Sequence, residues 1–239
     1  MNAMLLAAGA GTRLRSVEPD VPKILVDIGG EPLLARQLRY LEDQGVSRVV
    51  VNAHYLADQV LDFVSDHNGS LDLTVVIERE LLGTAGGVRN ALPELGDDPF
   101  IVLYGDVLTD EPLAPILDRH SLRRPAATLA AYESADIEGK GTIDVDRSDA
   151  VTAFNEKGTS TASDSALINA GIYVLQPSFI GQIPEGVALD FGHDVFPAAL
   201  ARNERLAIYR LTTPVLDVGT PAALELAREE HGTGKPRPA

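Results

Sequence analysis

The sequence predicts an α/β fold, a mostly parallel sheet covered on both faces by helices. Apolar runs of strand length at residues 4–8, 48–52, 73–78 and 100–104 alternate with segments whose apolar residues recur at helical spacing. Those runs are near-continuous, as suits strands buried on both sides. A chain of 239 residues, 45% of them hydrophobic, is long enough for one large domain with a sizeable core.

Residues 4–8 read as the first strand, emptying into a loop of small residues. Pro32 then sits at a first helical position, with Leu33, Leu34, Leu38 and Leu41 on one face and Gly45 at the end. A Val-rich strand at 48–52 precedes a second amphipathic helix marked by Leu56, Val60, Leu61 and Val64, and a third strand at 73–78. The fourth strand, 100–104, delivers Gly105-Asp106 at its C-terminal end, where open α/β sheets gather their ligands. Alternation then loosens: 126–131, 142–145 and 151–154 read as short strands of a mixed region, with a hairpin near 147–149. A strand at 168–175, a helix at 194–202, a strand at 206–211 and a closing helix at 221–230 complete a domain of residues 1–230, with 231–239 a disordered tail.

Thirty-five acidic residues against twenty basic give a net charge of −15, which removes any general attraction to nucleic acid or anionic membrane. Absence of cysteine excludes a disulfide framework, thiolate zinc sites and a cysteine nucleophile. No segment has the regions of a signal peptide or the length of a membrane span, so a cytoplasmic protein is expected, monomer or homodimer.

Candidate chemistry centres on Leu6-Ala7-Ala8-Gly9-Ala10-Gly11-Thr12-Arg13-Leu14, followed by Pro22-Lys23. Gly9 and Gly11 let backbone N–H groups turn inward as an anion-binding nest. Arg13 adds a donor fork matched to phosphate oxygens and Lys23 a point charge, a set suited to a triphosphate. The Walker pattern fails because Gly11 is followed by Thr12-Arg13, and the dinucleotide pattern fails at Leu14 and at Pro19 and Pro22. The plain alternative is a turn bearing solvated cations.

These residues resemble the signature of the sugar-1-phosphate nucleotidyltransferases, the nucleotide-sugar pyrophosphorylases. The likeness continues in order through Leu82-Gly83-Thr84-Ala85-Gly86-Gly87, Tyr104-Gly105-Asp106, Asn155-Glu156-Lys157, Asn169-Ala170-Gly171-Ile172-Tyr173 and Leu216-Asp217-Val218-Gly219-Thr220-Pro221. Within that family it is most similar to the short mannose-1-phosphate and heptose-1-phosphate guanylyltransferases, notably at Gly141-Thr142-Ile143-Asp144-Val145 and Asp194-Val195-Phe196-Pro197. The resemblance implies a three-layer α/β/α, Rossmann-like (GT-A-like) catalytic domain with a mixed, mostly parallel sheet. The β-helix that longer pyrophosphorylases append is not expected.

The implied reaction joins an NTP, best GTP, to mannose or heptose 1-phosphate with release of pyrophosphate. Uridylyl or thymidylyl transfer, or a non-catalytic sugar-nucleotide sensor on the same fold, are the alternatives. By resemblance Arg13 grips the leaving pyrophosphate and Lys23 neutralises the α-phosphate, while Asp106 and Asp217 hold Mg²⁺. The nucleotide would lie along Leu6, Ala7, Ala8, Gly9, Gly11 and Thr12, with the backbone of Gly83, Thr84 and Ala85 against base and ribose. Asn52 and His54 are placed to reach the nucleotide, and Glu78 or Glu80 to accept the guanine donors. The resemblance gives Lys157 the sugar phosphate, Glu156 the sugar hydroxyls, and Gly141, Asn169 and Gly171 the rest of that pocket. Asp106 also reads as a turn residue or cap, and Gly219-Thr220-Pro221 as an ordinary helix start. Asp144-Val145-Asp146 imitates a metal motif but falls in a strand-to-turn segment, and the histidines show no ligand spacing. At Glu80-Leu81-Leu82-Gly83-Thr84 the family's proline is replaced by Leu81, so base specificity does not carry over directly.

Overall fold

β1 (Asn2–Leu6) lies inside the sheet because both its faces are apolar: Met4 packs to one side, Ala3 and Leu5 to the other. This computed structural model describes residues 1–155 and 165–231; Glu156, Lys157 and the tail 232–239 lie outside the described residues. In chain order β1 is followed by α1 (Leu33–Asp43), β2 (Arg48–Ala53), α2 (Ala57–Ser65), β3 (Asp72–Ile77) and α3 (Gly83–Leu95). Next come β4 (Phe100–Tyr104), β5 (Val107–Thr109), α4 (Ala114–Arg123), β6 (Ala127–Ser134), β7 (Thr142–Val145) and β8 (Val151–Asn155). The chain closes with β9 (Ala166–Leu175), α5 (Pro177–Ile180), α6 (Phe196–Ala201), β10 (Leu206–Arg210), β11 (Val215–Asp217) and α7 (Pro221–His231).

The main sheet runs β10-β6-β9-β4-β1-β2-β3, with the β7–β8 hairpin attached through β9. β1 is parallel to β2 and β4, and β2 to β3, while β9 is antiparallel to both β4 and β6. One face is covered by α1, α2, α4 and α7 through Leu33, Leu38, Val60, Ile116 and Leu224. The other is covered by α3, α5 and α6 through Val88, Leu95, Phe179 and Phe196. The three-layer α/β/α arrangement with a mixed, mostly parallel sheet is therefore the one that forms. Apolar area is removed from water on both sides of every central strand, which is the main force holding the layers together.

Several elements differ from the sequence reading. β1 stops at Leu6 rather than Ala8, because the amides of Ala7 and Ala8 turn to the side chain of Asn52 instead of a neighbouring strand. Residues 83–87, for which the sequence offers no helical pattern, are the first turns of α3. Glycine there serves packing: a Cβ on Gly86 would stand 2.5 Å from the Val187 carbonyl oxygen, and one on Gly87 2.6 Å from Glu78 Oε1. Propensity against helix is overridden by the close approach of these neighbours. The helix expected at 194–202 begins with a π-helical turn, Phe191–Val195, and α4 and the β5–β11 ribbon went unread. The hairpin expected near 147–149 forms, with Asp149 at φ 59° and Asp146 accepting the amides of Ser148 and Ala150. α7 runs one residue beyond Glu230 into the expected tail.

Gly171 sits at φ 70°, and a Cβ there would lie 2.9 Å from the Tyr104 ring. Gly171→Ala is expected to cost about 2 kcal/mol from left-handed backbone and the clash together. In a domain of this size that lowers Tm by about 4–8 °C. A thermal melt unchanged from wild type would contradict it.

Candidate active site

The candidate site lies beyond the C-terminal ends of β1 and β4, where Leu6 pairs with Tyr104 and Gly105 N–H continues the ladder to the Leu6 carbonyl at 2.9 Å. Gly105 is required there: a Cβ would come within 2.7 Å of that carbonyl oxygen and 2.6 Å of Ile24. From β1 the chain turns at Gly11, φ 59°, whose carbonyl accepts Leu14 N–H at 2.9 Å and Arg15 N–H at 3.2 Å. Arg15 braces the loop, donating through Nε to the Ala10 carbonyl at 3.0 Å and stacking 3.8 Å above the Tyr55 ring.

A hollow of about 220 Å³ is walled by Gly9, Gly11 and Thr12 with Arg13, Lys23 and Asp106. Lys23 donates to Asp106 in a short ion pair, both side chains largely covered. Asp217 reaches the same place through the ribbon. β11 runs antiparallel to β5 with Asp217 opposite Val107, and Val218 N–H donates to the Asp106 carbonyl at 2.8 Å. An added Cβ on Gly219 would meet Asp217 Oδ1 at 2.8 Å and Arg13 Nη2 at 3.1 Å, so carboxylate and guanidinium converge on one side of that glycine. Among the described residues no hydrogen bond holds the exposed Arg13 guanidinium.

Asp217 keeps open surface, yet its carboxyl is pushed above the usual carboxylate range, by loss of solvation first and then by the negative charge of Asp106. Lys23, Arg13 and Lys140 pull the other way without overcoming this. Two neighbouring carboxylates short of positive charge fit Mg²⁺, which takes one or two protein carboxylates and fills its octahedron with phosphate and water oxygens. No group of three or more metal-type side chains occurs among the described residues, so substrate oxygens would complete the shell.

A second hollow of about 340 Å³ shares Leu6, Gly9 and Asp106 with the first and is walled by Ala8, Thr84, Tyr104 and Asp190. Its floor is held by buried polar groups. Asn52 Oδ1 accepts the amides of Ala7 at 2.7 Å and Ala8 at 3.3 Å, and its Nδ2 donates to Glu78 Oε1 at 2.6 Å. Glu78 Oε2 accepts Leu82 N–H at 3.0 Å. Thus Asn52 and Glu78 both line the hollow: Asn52 divides its polar atoms between the glycine loop and Glu78, and Glu78, 3% exposed, accepts one of these hydrogen bonds on each oxygen. His54 is tied to the Glu78 carbonyl.

The start of α3 is likewise committed. Thr84 N–H and Oγ1 donate to Asp190 Oδ1, while the amides of Ala85 and Gly86 donate to the Leu189 carbonyl. Ala85 is fully buried, so Gly83 and Thr84, not Ala85, face the hollow. Glu80 is exposed and belongs to neither wall. On the acceptor side Asn169 N–H donates to the Gly141 carbonyl at 2.9 Å, Gly171 N–H to Asn169 Oδ1 at 3.3 Å, and Asn169 Nδ2 to Tyr173 at 2.7 Å. Tyr173 continues to Tyr104, whose phenol burial pushes up to about 12, keeping it a donor. Gly141, Asn169 and Gly171 are thus one cluster joined through Tyr173 to the wall of the second hollow; Glu156 and Lys157 lie outside the described residues. Tyr104 and Asp190 were missed as site residues, though Tyr104 stands inside a quoted motif.

The nucleotidyl transferase family model matches residues 2–233. The chain belongs to the nucleotidyl transferase family. Among its curated relatives is probable mannose-1-phosphate guanylyltransferase 1 of Oryza sativa subsp. japonica, 34% identical over 229 residues, covering 92% of this chain and 62% of that protein. Mannose-1-phosphate guanylyltransferase of Mycobacterium tuberculosis is 33% identical over 223 residues, with the same 92% and 62% coverage. The chain therefore spans about three-fifths of the length of these relatives. Crystal structures of HddC from Yersinia pseudotuberculosis, one of them complexed with GMP-PN, are 30% identical with TM-score 0.83, covering 96% of this chain and 98% of that one.

A carboxyl whose pKa rises on folding binds its proton more tightly folded than unfolded. Ionised Asp217 therefore disfavours the fold above its folded pKa, and the effect fades as pH falls through that value. Asp217→Asn is expected to raise the Tm of the ligand-free protein at pH 7, less so in acid, while turnover falls by about 10². A thermal shift series showing a lower Tm at pH 7 would contradict the charge strain.

Proposed function

We propose that this chain transfers a nucleoside monophosphate from an NTP to a sugar 1-phosphate, giving a nucleotide-sugar and pyrophosphate, with GTP and mannose or heptose 1-phosphate as the substrates. The observation that carries the reading is the hollow in which Arg13 and Lys23 face Asp106 above a glycine turn, with Asp217 brought to its rim beside Gly219. The guanylyltransferase names of the relatives and the GMP-PN complex of HddC support the choice of base and sugar.

The attacking group is already an anion, so no enzyme nucleophile is needed; the work is alignment and charge neutralisation. An oxygen of the sugar phosphate adds to the α-phosphorus as the bond to the bridging oxygen breaks and pyrophosphate departs. Lys23 exchanges Asp106 for the α-phosphate, holding it through the pentacovalent stage. Arg13, held by no carboxylate hydrogen bond among the described residues, takes the β- and γ-phosphate oxygens with its fork. Asp106 and Asp217 would hold Mg²⁺, which when bound supplies neutralisation of the crowded phosphate oxygens. Thr84, Tyr104 and the glycine loop enclose the nucleoside, Asn52 and Glu78 fixing that wall from behind. The cytosol, with its pool of triphosphates, is the proposed place of reaction.

Pyrophosphate release across a matrix of nucleotides and sugar 1-phosphates tests this directly, with GTP and mannose or heptose 1-phosphate expected to lead. Turnover confined to UTP or TTP would end the guanylyl assignment, and binding of nucleotide-sugars without turnover would point to a sensor. Asp106→Asn is expected to lower kcat by at least about 10² while leaving the fold intact, since a neutral amide cannot replace a metal carboxylate. A wild-type rate would remove Asp106 from the site.

A further inference from the structure

The two carboxylates at the cleft are brought together by β5 and β11, which form a two-stranded sheet of their own apart from the main one. Its register pairs Thr109 with Val215, Leu108 with Leu216 and Val107 with Asp217. Side chains alternate between faces along a strand, so a slip by one residue would turn Asp217 to the opposite face. Six residues of ladder do not resist such a slip by themselves, and a two-stranded pair standing alone is marginal in water.

At the end of the ribbon away from Asp217 lies Glu111, fully buried, with no cation paired to it among the described residues. Its Oε2 accepts the amides of Thr212 at 2.9 Å and Thr213 at 2.8 Å and the Thr213 hydroxyl at 2.8 Å. Oε1 accepts the hydroxyls of Thr212 and Tyr209, each at 3.2 Å. Its backbone is pinned as well: Tyr40 donates to the Glu111 carbonyl at 2.6 Å, and Glu111 N–H donates to Thr109 Oγ1 at 3.1 Å. A buried, unpaired carboxylate is destabilising unless its lone pairs are satisfied. Here burial pushes the pKa up, but the donors of Thr213, Thr212 and Tyr209 outweigh it and hold the group below the usual range, ionised. Thr212 and Thr213 lead directly into β11, so the carboxylate fastens that strand's entry to the exit of β5.

We propose that Glu111 is a positioning residue for divalent-cation binding: its carboxylate fixes β11 on β5 and so keeps Asp217 beside Asp106. This rests on the reading that those two aspartates hold the metal.

The test is Mn²⁺ affinity, followed by electron paramagnetic resonance, in the presence of the α,β-methylene analogue of whichever triphosphate wild type turns over. Wild type, Asp217→Asn, Glu111→Gln and Thr213→Val are compared, with the analogue's affinity also measured without metal. Glutamine places an amide donor against amide donors, so Glu111→Gln is expected to weaken Mn²⁺ by about tenfold, as loss of an outer support does, while metal-free analogue binding is unchanged. Thr213→Val, losing the hydroxyl's bond to Glu111 at 2.8 Å and its weaker 3.3 Å contact with Thr109 Oγ1, should weaken Mn²⁺ by about threefold. Wild-type Mn²⁺ affinity in folded Glu111→Gln, or equal loss of Mn²⁺ and analogue binding, overturns the proposal. If Glu111→Gln does not fold, Thr213→Val decides, and wild-type affinity there overturns it. Failure of the underlying metal reading is recognised separately: wild type then binds no Mn²⁺, or Asp217→Asn binds it undiminished, and the role of Glu111 falls with it.

Discussion

Lys23 on Asp106 is the contact around which the cleft is arranged. The two residues are 83 positions apart, and they meet because β4 lies beside β1 and the loop after β1 folds back across the ends of both strands. In a chain with a net charge of −15, a cation and a carboxylate held together at a strand end form a local point of balance. A second carboxylate, Asp217, is delivered beside them, and loss of solvation, then the charge of Asp106, hold its proton more tightly than usual. The free protein thus keeps a site whose charges are satisfied only in part. A ligand carrying phosphates and a divalent ion would satisfy them.

Rigidity around this point comes from buried side chains with no role in the chemistry. Gln37, 2% exposed, donates to the carbonyls of Gly105 and Val107 and so fixes the turn that bears Asp106. Asn52 and Glu78 tie the beginning of the glycine loop to the start of α3, joining the two hollows through one hydrogen-bonded wall. Such networks act on geometry: each polar atom left without a partner in the interior would be costly, so the arrangement has few alternatives.

The sequence was most informative where one physical constraint dominates. Central strands such as 100–104 are apolar on both faces, and the run Gly9-Ala10-Gly11 followed by Arg13 and Lys23 combines backbone freedom with charge that a core cannot hold. It was least informative where long-range neighbours decide. Gly86 and Gly87 look like a loop until Val187 and Glu78 are seen pressed against them. Asn52 and Glu78 line the second hollow, but the bonds that tie Asn52 to Ala7 and Ala8 and Glu78 to Leu82 depend on the folded chain and have no signal in the sequence. The pairing of β5 with β11 joins segments about a hundred residues apart through three residues each, too short for any periodic signal. Asp106 and Asp217 could be named from resemblance, but the ribbon that brings them together could not.

The most direct test of the central claim is a crystal structure of the protein with Mg²⁺ and a non-cleavable analogue of the triphosphate it turns over. The account predicts the triphosphate on the glycine turn, Lys23 moved from Asp106 to the α-phosphate, Arg13 on the terminal phosphates, and Asp106 and Asp217 sharing the ion. Lys23 still paired with Asp106 while the triphosphate lies elsewhere on the molecule would contradict it.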